Sequence, residues 1–121
     1  MRPEAFSLNG IPALCWGRPR RRGFLYLHGQ GGDKTEAAAF AAAAAEAGWQ
    51  TVSVDLPGHG DRTAEAAELV PWRVVPELRG ILAELRDRWD QTALFGCSLG
   101  AWFGLLAYPN APLAGALLLS P

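Results

Sequence analysis

Ser98 stands in Gly96-Cys97-Ser98-Leu99-Gly100, directly after the apolar run Thr92-Ala93-Leu94-Phe95 and directly before residues that can open a helix. A G-x-S-x-G pattern alone is weak, but between a strand and a helix it describes a sharp turn with the serine at its tip. Glycines two residues to either side leave room for neighbouring backbone. The strained turn exposes Oγ and aims the unpaired N–H groups of a helix N-terminus at a reacting carbonyl. The chemistry to expect is attack on an acyl group through an acyl-Ser98 intermediate. The plainer alternative is a glycine-bounded turn serine that only begins a helix.

Two further loops have the composition of ligand-facing turns. His28-Gly29-Gln30-Gly31-Gly32 follows the apolar run Phe24-Leu25-Tyr26-Leu27, and Asp55-Leu56-Pro57-Gly58-His59-Gly60-Asp61-Arg62 follows Trp49 to Val54. Each loop thus closes a stretch of strand length.

The elements that must position these loops alternate along the chain. Phe6 to Leu8 and Ile11 to Trp16 flank Asn9-Gly10, a strong hairpin signal. Asp33, with Glu36 three residues on, reads as a capping box opening an alanine-rich helix from Lys34 to Ala47, stopped by Gly48. Thr63 to Leu69 is compatible with a short helix or a mobile segment. Leu78, Ile81, Leu82, Leu85 and Trp89 recur at three and four, predicting a helix from Pro76 to Trp89 with Pro76 at its first position and Val75 outside it. A strand over Thr92 to Phe95, a helix over Leu99 to Ala107 and an apolar run over Ala114 to Leu119 complete the pattern. Strands alternating with helices predict an α/β fold: a three-layer α/β/α sandwich on a mostly parallel sheet, begun by an antiparallel hairpin.

Composition narrows the function classes. The 121 residues are 50% hydrophobic and 19% charged, as expected of one globular domain with a real core. A net charge of -1 and a single basic cluster, Arg18, Arg20, Arg21 and Arg22, argue against nucleic acid, which calls for a broad basic face. No stretch approaches the roughly 20 apolar residues of a membrane span, and no basic segment precedes an apolar one at the N-terminus, so a cytoplasmic protein is expected. Cys15 and Cys97 suggest no disulfide framework, and no Cys or His spacing suggests a metal. Neither glycine-rich loop fits G-x-G-x-x-G, so no dinucleotide or other cofactor is implied.

Taken together and in this order, the three loops make the chain resemble the N-terminal portion of an α/β-hydrolase-fold protein. His28-Gly29-Gln30-Gly31-Gly32 is similar to the H-G-x-G-type oxyanion loop after the family's third strand. Asp55-Leu56-Pro57-Gly58-His59-Gly60 is similar to the D-x-P-G-H-G loop after the fourth, and Gly96 to Gly100 to the nucleophile turn after the fifth. General similarity points further to small bacterial esterases and acyl hydrolases. The resemblance spans essentially the whole chain and implies the strand order 1-2-4-3-5-6, continuing to 7 and 8 in complete members.

The resemblance implies roles. Ser98 would be the nucleophile, and the backbone N–H groups of Gln30 and Leu99 would form the oxyanion hole. His28, Gly29, Gly31, Gly32, Gly96 and Gly100 would shape the two loops, with the His28 side chain structural. His59 is expected to bond within its own loop, since the family places its histidine after the nucleophile and acid. Cys97 is expected to point away from the site, and Asp55 and Asp61 to cap the turn or pair with Arg62. In one respect the chain departs from the family. Residues 99–121 hold no His, Asp or Glu, and Tyr108 is their one titratable side chain. A serine nucleophile needs an acid and a base, so the sequence reads as the N-terminal part of a hydrolase, truncated after the sixth strand, acting on a small-molecule acyl substrate. The alternative is a non-catalytic fragment or pseudoenzyme that keeps the fold and a binding cleft. The uncharged apolar sixth strand would lie at an edge, where it invites self-association.

Overall fold

The structure is a computed structural model and describes residues 1–108 and 113–119. Six strands form one sheet: β1 (Glu4–Leu8), β2 (Ile11–Trp16), β3 (Arg22–Leu27), β4 (Gln50–Val54), β5 (Gln91–Cys97) and β6 (Gly115–Leu119), in the order β1-β2-β4-β3-β5-β6. β1 and β2 pair antiparallel, as do β2 and β4, whereas β4, β3, β5 and β6 run parallel. The expected α/β architecture and strand order are therefore present. Asn9 (φ 50) and Gly10 (φ 78) both adopt the left-handed values that a tight two-residue hairpin requires.

Side-chain alternation along the parallel strands splits the core between the two faces. Leu25, Leu27, Val52, Val54 and Leu94 face the helices α2 (Pro71–Arg88) and α3 (Leu99–Ala107), and pack there with Val74, Leu78, Ile81, Leu85 and Phe103. On the opposite face Tyr26 and Phe95 stack at 4.7 Å and meet Phe40, Ala37 and Ala41 at α1 (Ala38–Glu46). Of the two buried hydroxyls that β4 turns to this face, Ser53 Oγ accepts from Trp16 Nε1 at 2.9 Å and donates to the Lys34 carbonyl at 2.7 Å, whereas Thr51 Oγ1 has no partner among the described residues. None of the described helices is long and apolar enough to cross a membrane.

Three expectations require correction. The second long helix starts at Pro71, so the rule for proline at the first position applies there; Val75 is helical and Pro76 lies inside the helix. Buried Val74 extends the apolar stripe one turn further back than the Leu78 pattern showed. Pro76 is tolerated because the carbonyl that loses its donor belongs to Trp72, exposed like Pro76 on the solvent side. The alanine-rich helix is interrupted at its start: a 3-10 turn spans Lys34–Ala37 before α1. Its capping box is half formed, because Asp33 accepts from Thr35 N while the Glu36 carboxylate turns away to Gly29 N and Tyr26 Oη. Between β4 and α2, Gly60–Glu68 is a kinked 3-10 segment. Buried Arg62 ties it down through both carboxylate oxygens of Glu77 on α2 and the Asp55 carbonyl.

Candidate active site

The two central parallel strands place the candidate loops side by side. β3 and β5 are neighbours with Leu27 opposite Gly96, so the chain leaves both strands at the same rim of the sheet, where open α/β sheets bind ligands. Ser98 follows at once with φ 52 and ψ -114, one of two non-glycine residues with positive φ among those described, and its side chain is exposed. Its backbone N–H donates to the Leu119 carbonyl at 2.7 Å, which pins the turn to β6. A β-carbon on Gly100 would lie 2.3 Å from the Leu27 carbonyl oxygen, and one on Gly96 2.7 Å from Ala101 Cα. Both glycines are thus demanded by backbone that cannot move aside.

Gly29 brings the oxyanion-type loop against the serine: a β-carbon there would stand 3.4 Å from Ser98 Cβ and 3.6 Å from Cys97 Sγ. The loop closes in a turn through Gly32 N to Gly29 O at 3.0 Å, with Gly31 at φ 80 in the third position that calls for glycine. Within it the Gly29 N–H points to Glu36 and the Gly31 N–H to His59 Nε2. Among the described residues nothing accepts a hydrogen bond from Gln30 N or from Leu99 N, the first residue of α3. Both N–H groups are available for a ligand.

The two histidines are fully committed to structure. His28, completely buried, donates from Nδ1 to the Gly29 carbonyl at 2.8 Å and accepts the Leu56 N–H on Nε2 at 3.0 Å. His59 donates from Nδ1 to the Pro57 carbonyl at 3.0 Å and accepts the Gly31 N–H on Nε2 at 3.1 Å. Each ring holds one proton and has no lone pair left to take another from a serine. Desolvation lowers the pKa of His28, and the nearby His59 ring adds to that, against the opposing pull of the Gly29 carbonyl. Above its ordinary value of 6.5 the ring is neutral in both folded and unfolded chains; below it only the unfolded chain takes up the proton, so stability falls as pH drops. Urea melts at pH 7.5 and 5.5 are expected to show lower stability at 5.5, and His28→Gln is expected to shrink that difference.

Of the two roles expected of Asp55 and Asp61, Asp55 fills the first, capping the turn by accepting the Asp61 N–H, and neither carboxylate pairs with the Arg62 side chain. Lys34 takes both, donating from Nζ to Asp55 at 2.7 Å and to Asp61 at 2.9 Å, while buried Asp55 also accepts the backbone N–H groups of Lys34 and Asp61. The pattern marks Lys34 only as a helix residue and Glu36 only as half of a capping box, yet Lys34 binds this segment to the second loop and Glu36 binds it to the first loop and to β3. The buried Tyr26 hydroxyl, which needs a partner, was the available signal for Glu36. Burial, with the Glu36 carboxylate adding to it, raises the Cys97 pKa and keeps the thiol protonated, which makes it a poor nucleophile.

The sequence pattern of the alpha/beta hydrolase family matches residues 24–121. The chain belongs to that family. In structure this hydrolase-family chain is similar to TT1662 from Thermus thermophilus, with 26% identity and a TM-score of 0.79 over 97% of this chain and 55% of that one. It is also similar to a cold-adapted esterase from an Arctic intertidal metagenomic library (22% identity, TM-score 0.77, 97% and 58% covered) and to a thioesterase domain from the curacin biosynthetic pathway (22%, 0.78, 98% and 45%). The chain therefore spans about half the length of these structures. No curated protein matches it in sequence.

Proposed function

We propose that residues 1–121 carry the nucleophile and oxyanion half of a serine hydrolase that cleaves an ester, thioester or amide of a small acyl substrate. The observation that carries this reading is Ser98 itself: an exposed hydroxyl on a backbone strained to φ 52, ψ -114, set beside the Gly29 turn. Local strain is retained where the surroundings impose it, and here two glycines and a strand-to-helix junction do so. In this reading Ser98 Oγ attacks the acyl carbonyl and the Gln30 and Leu99 N–H groups receive the developing oxyanion. Each such donor contributes roughly 3 to 4 kcal/mol of transition-state stabilisation. The solved structures that support the acyl-transfer class include an esterase and a thioesterase, and since an epoxide hydrolase from Vigna radiata shares the fold at 21% identity, the fold alone does not select the substrate.

The base and acid come, in this proposal, from chain outside residues 1–121, because both imidazoles of this segment are occupied. The same observation favours a second reading, in which the segment is a non-catalytic remnant. The two separate on hydrolysis of a p-nitrophenyl ester. Loss of the base leaves only the roughly 10³ to 10⁴-fold acceleration over water that binding and oxyanion stabilisation give, so residues 1–121 alone are expected to be nearly silent. The full-length protein is expected to turn over with a burst of p-nitrophenol. Silence of the full-length protein toward ester, thioester and amide alike would favour the remnant.

A further inference from the structure

The peptide between Gly29 and Gln30 carries the Gln30 N–H, and its orientation is set from its other end. In a trans peptide the carbonyl and the N–H point in opposite directions, so whatever holds the Gly29 oxygen aims the Gln30 N–H. Two donors hold it: His28 Nδ1 at 2.8 Å and the Gly32 N–H at 3.0 Å. The Gly32 bond lies within the turn and travels with it. The His28 bond does not, because the ring is completely buried and its Nε2 accepts the Leu56 N–H at 3.0 Å, from the loop after β4.

We propose that His28 is a positioning residue for the oxyanion site: its Nδ1 proton holds the Gly29 carbonyl and thereby aims the Gln30 N–H at the space in front of Ser98. This rests on the proposed function, in which that N–H meets the oxyanion. The chemistry of the ring supports the assignment. With Nε2 accepting from Leu56, the single proton of a neutral imidazole is on Nδ1, facing the carbonyl. Burial lowers the pKa of His28, so the ring is neutral at neutral pH. The hold matters at this position because Gly29 has no β-carbon to restrict the rotation that would swing the carbonyl away. A single misaimed donor is enough to slow acyl transfer.

The same contacts strengthen the donor. An amide whose oxygen accepts hydrogen bonds is polarised, and its N–H then bonds an anion more strongly. Here the Leu56 N–H, the His28 ring and the Gly29 carbonyl form one chain that ends on the Gln30 N–H, which has no acceptor among the described residues. His59 and Glu36 stand outside this chain. They hold the N–H groups of Gly31 and Gly29, which belong to the peptides on either side.

The two bonds of the ring separate on substitution in the full-length protein. Asn places an amide nitrogen where Nδ1 lies and nothing at Nε2, whereas Gln reaches the Nε2 position and places nothing at Nδ1. His28→Asn is expected to keep the direction of the Gln30 N–H, read from its residual dipolar coupling, and to hold kcat for a p-nitrophenyl ester within about tenfold of the parent. His28→Gln is expected to change that coupling and to lower kcat by about 10²-fold with KM little changed, the cost of one oxyanion donor. A merely structural His28 predicts instead that both variants lose activity in step with their melting temperatures, and that result would overturn the proposal. Long-range 1H–15N spectra of the parent, which need no variant to fold, are expected to place the His28 proton on Nδ1; a proton on Nε2 would overturn it equally. Ser98→Ala run in parallel keeps the two readings apart: full activity there sinks the serine mechanism, while the Gln30 coupling continues to decide the role of His28.

Discussion

Ser98→Ala in the full-length protein is expected to lower kcat toward an activated ester by about 10⁶-fold, the loss seen when the nucleophile of a serine triad is removed. The expectation follows from position rather than from residue type. Ser98 is the first residue after β5, it caps α3 with no side-chain hydrogen bond to its own helix, and its hydroxyl is exposed beside the Gly29 turn. A turn serine present only to start the helix would be spending that hydroxyl on a backbone N–H. The strain supplies a second readout from the same position. Because φ 52, ψ -114 costs an L-residue on the order of 1–3 kcal/mol, Ser98→Gly is expected to raise stability by about 1 kcal/mol after glycine's own entropic cost, while activity is lost. Thermal melts beside kinetics check both. An active Ser98→Ala, or a destabilised Ser98→Gly, would mean that the turn is not built around an exposed hydroxyl.

Gly100→Val is expected to damage folding severely, costing about 3 kcal/mol or more. Its first β-carbon would sit 2.3 Å from the Leu27 oxygen and 2.6 Å from the His28 oxygen, both in the backbone of the central strand's exit, so relief requires moving α3 off β3. Gly96→Val meets the Ala101 backbone at 2.7 Å and is expected to follow closely. Cys97→Ala, between them in sequence, removes a half-exposed thiol and is expected to cost about 1 kcal/mol or less. Denaturant titration of the three variants ranks them. Equal loss from Cys97→Ala would show that the helix does not press on the β3 loop.

The sheet was legible because its signals are local and repeated. Apolar runs of strand length before each glycine-rich loop placed β3, β4 and β5, and Asn9-Gly10 placed the hairpin. The start of α2 is ambiguous in the sequence because Pro76 fits a helix opening as well as Pro71 does; only the burial of Val74, a tertiary fact, separates them. The capping box failed at Glu36 for a similar reason. A carboxylate three residues after Asp33 can reach back to the cap, but here the buried face of β3 offers the Tyr26 hydroxyl and the Gly29 N–H instead. The candidate site was legible in its backbone and opaque in its side chains. Glycine spacing gave the two turns, whereas the Lys34 bridge to Asp55 and Asp61 and the crossed His28 and His59 bonds join residues 21 to 28 positions apart, which no local pattern encodes.

The most direct measurement of the central claim is covalent. Full-length protein treated with a fluorophosphonate probe, digested and mapped by mass spectrometry is predicted to carry one adduct, on the peptide containing Ser98, formed rapidly at pH 7.5 and absent from Ser98→Ala. Residues 1–121 alone are predicted to label far more slowly, since neither His28 nor His59 has a nitrogen free to take the serine proton. An adduct on another serine, or equally rapid labelling of the short segment, would contradict the account.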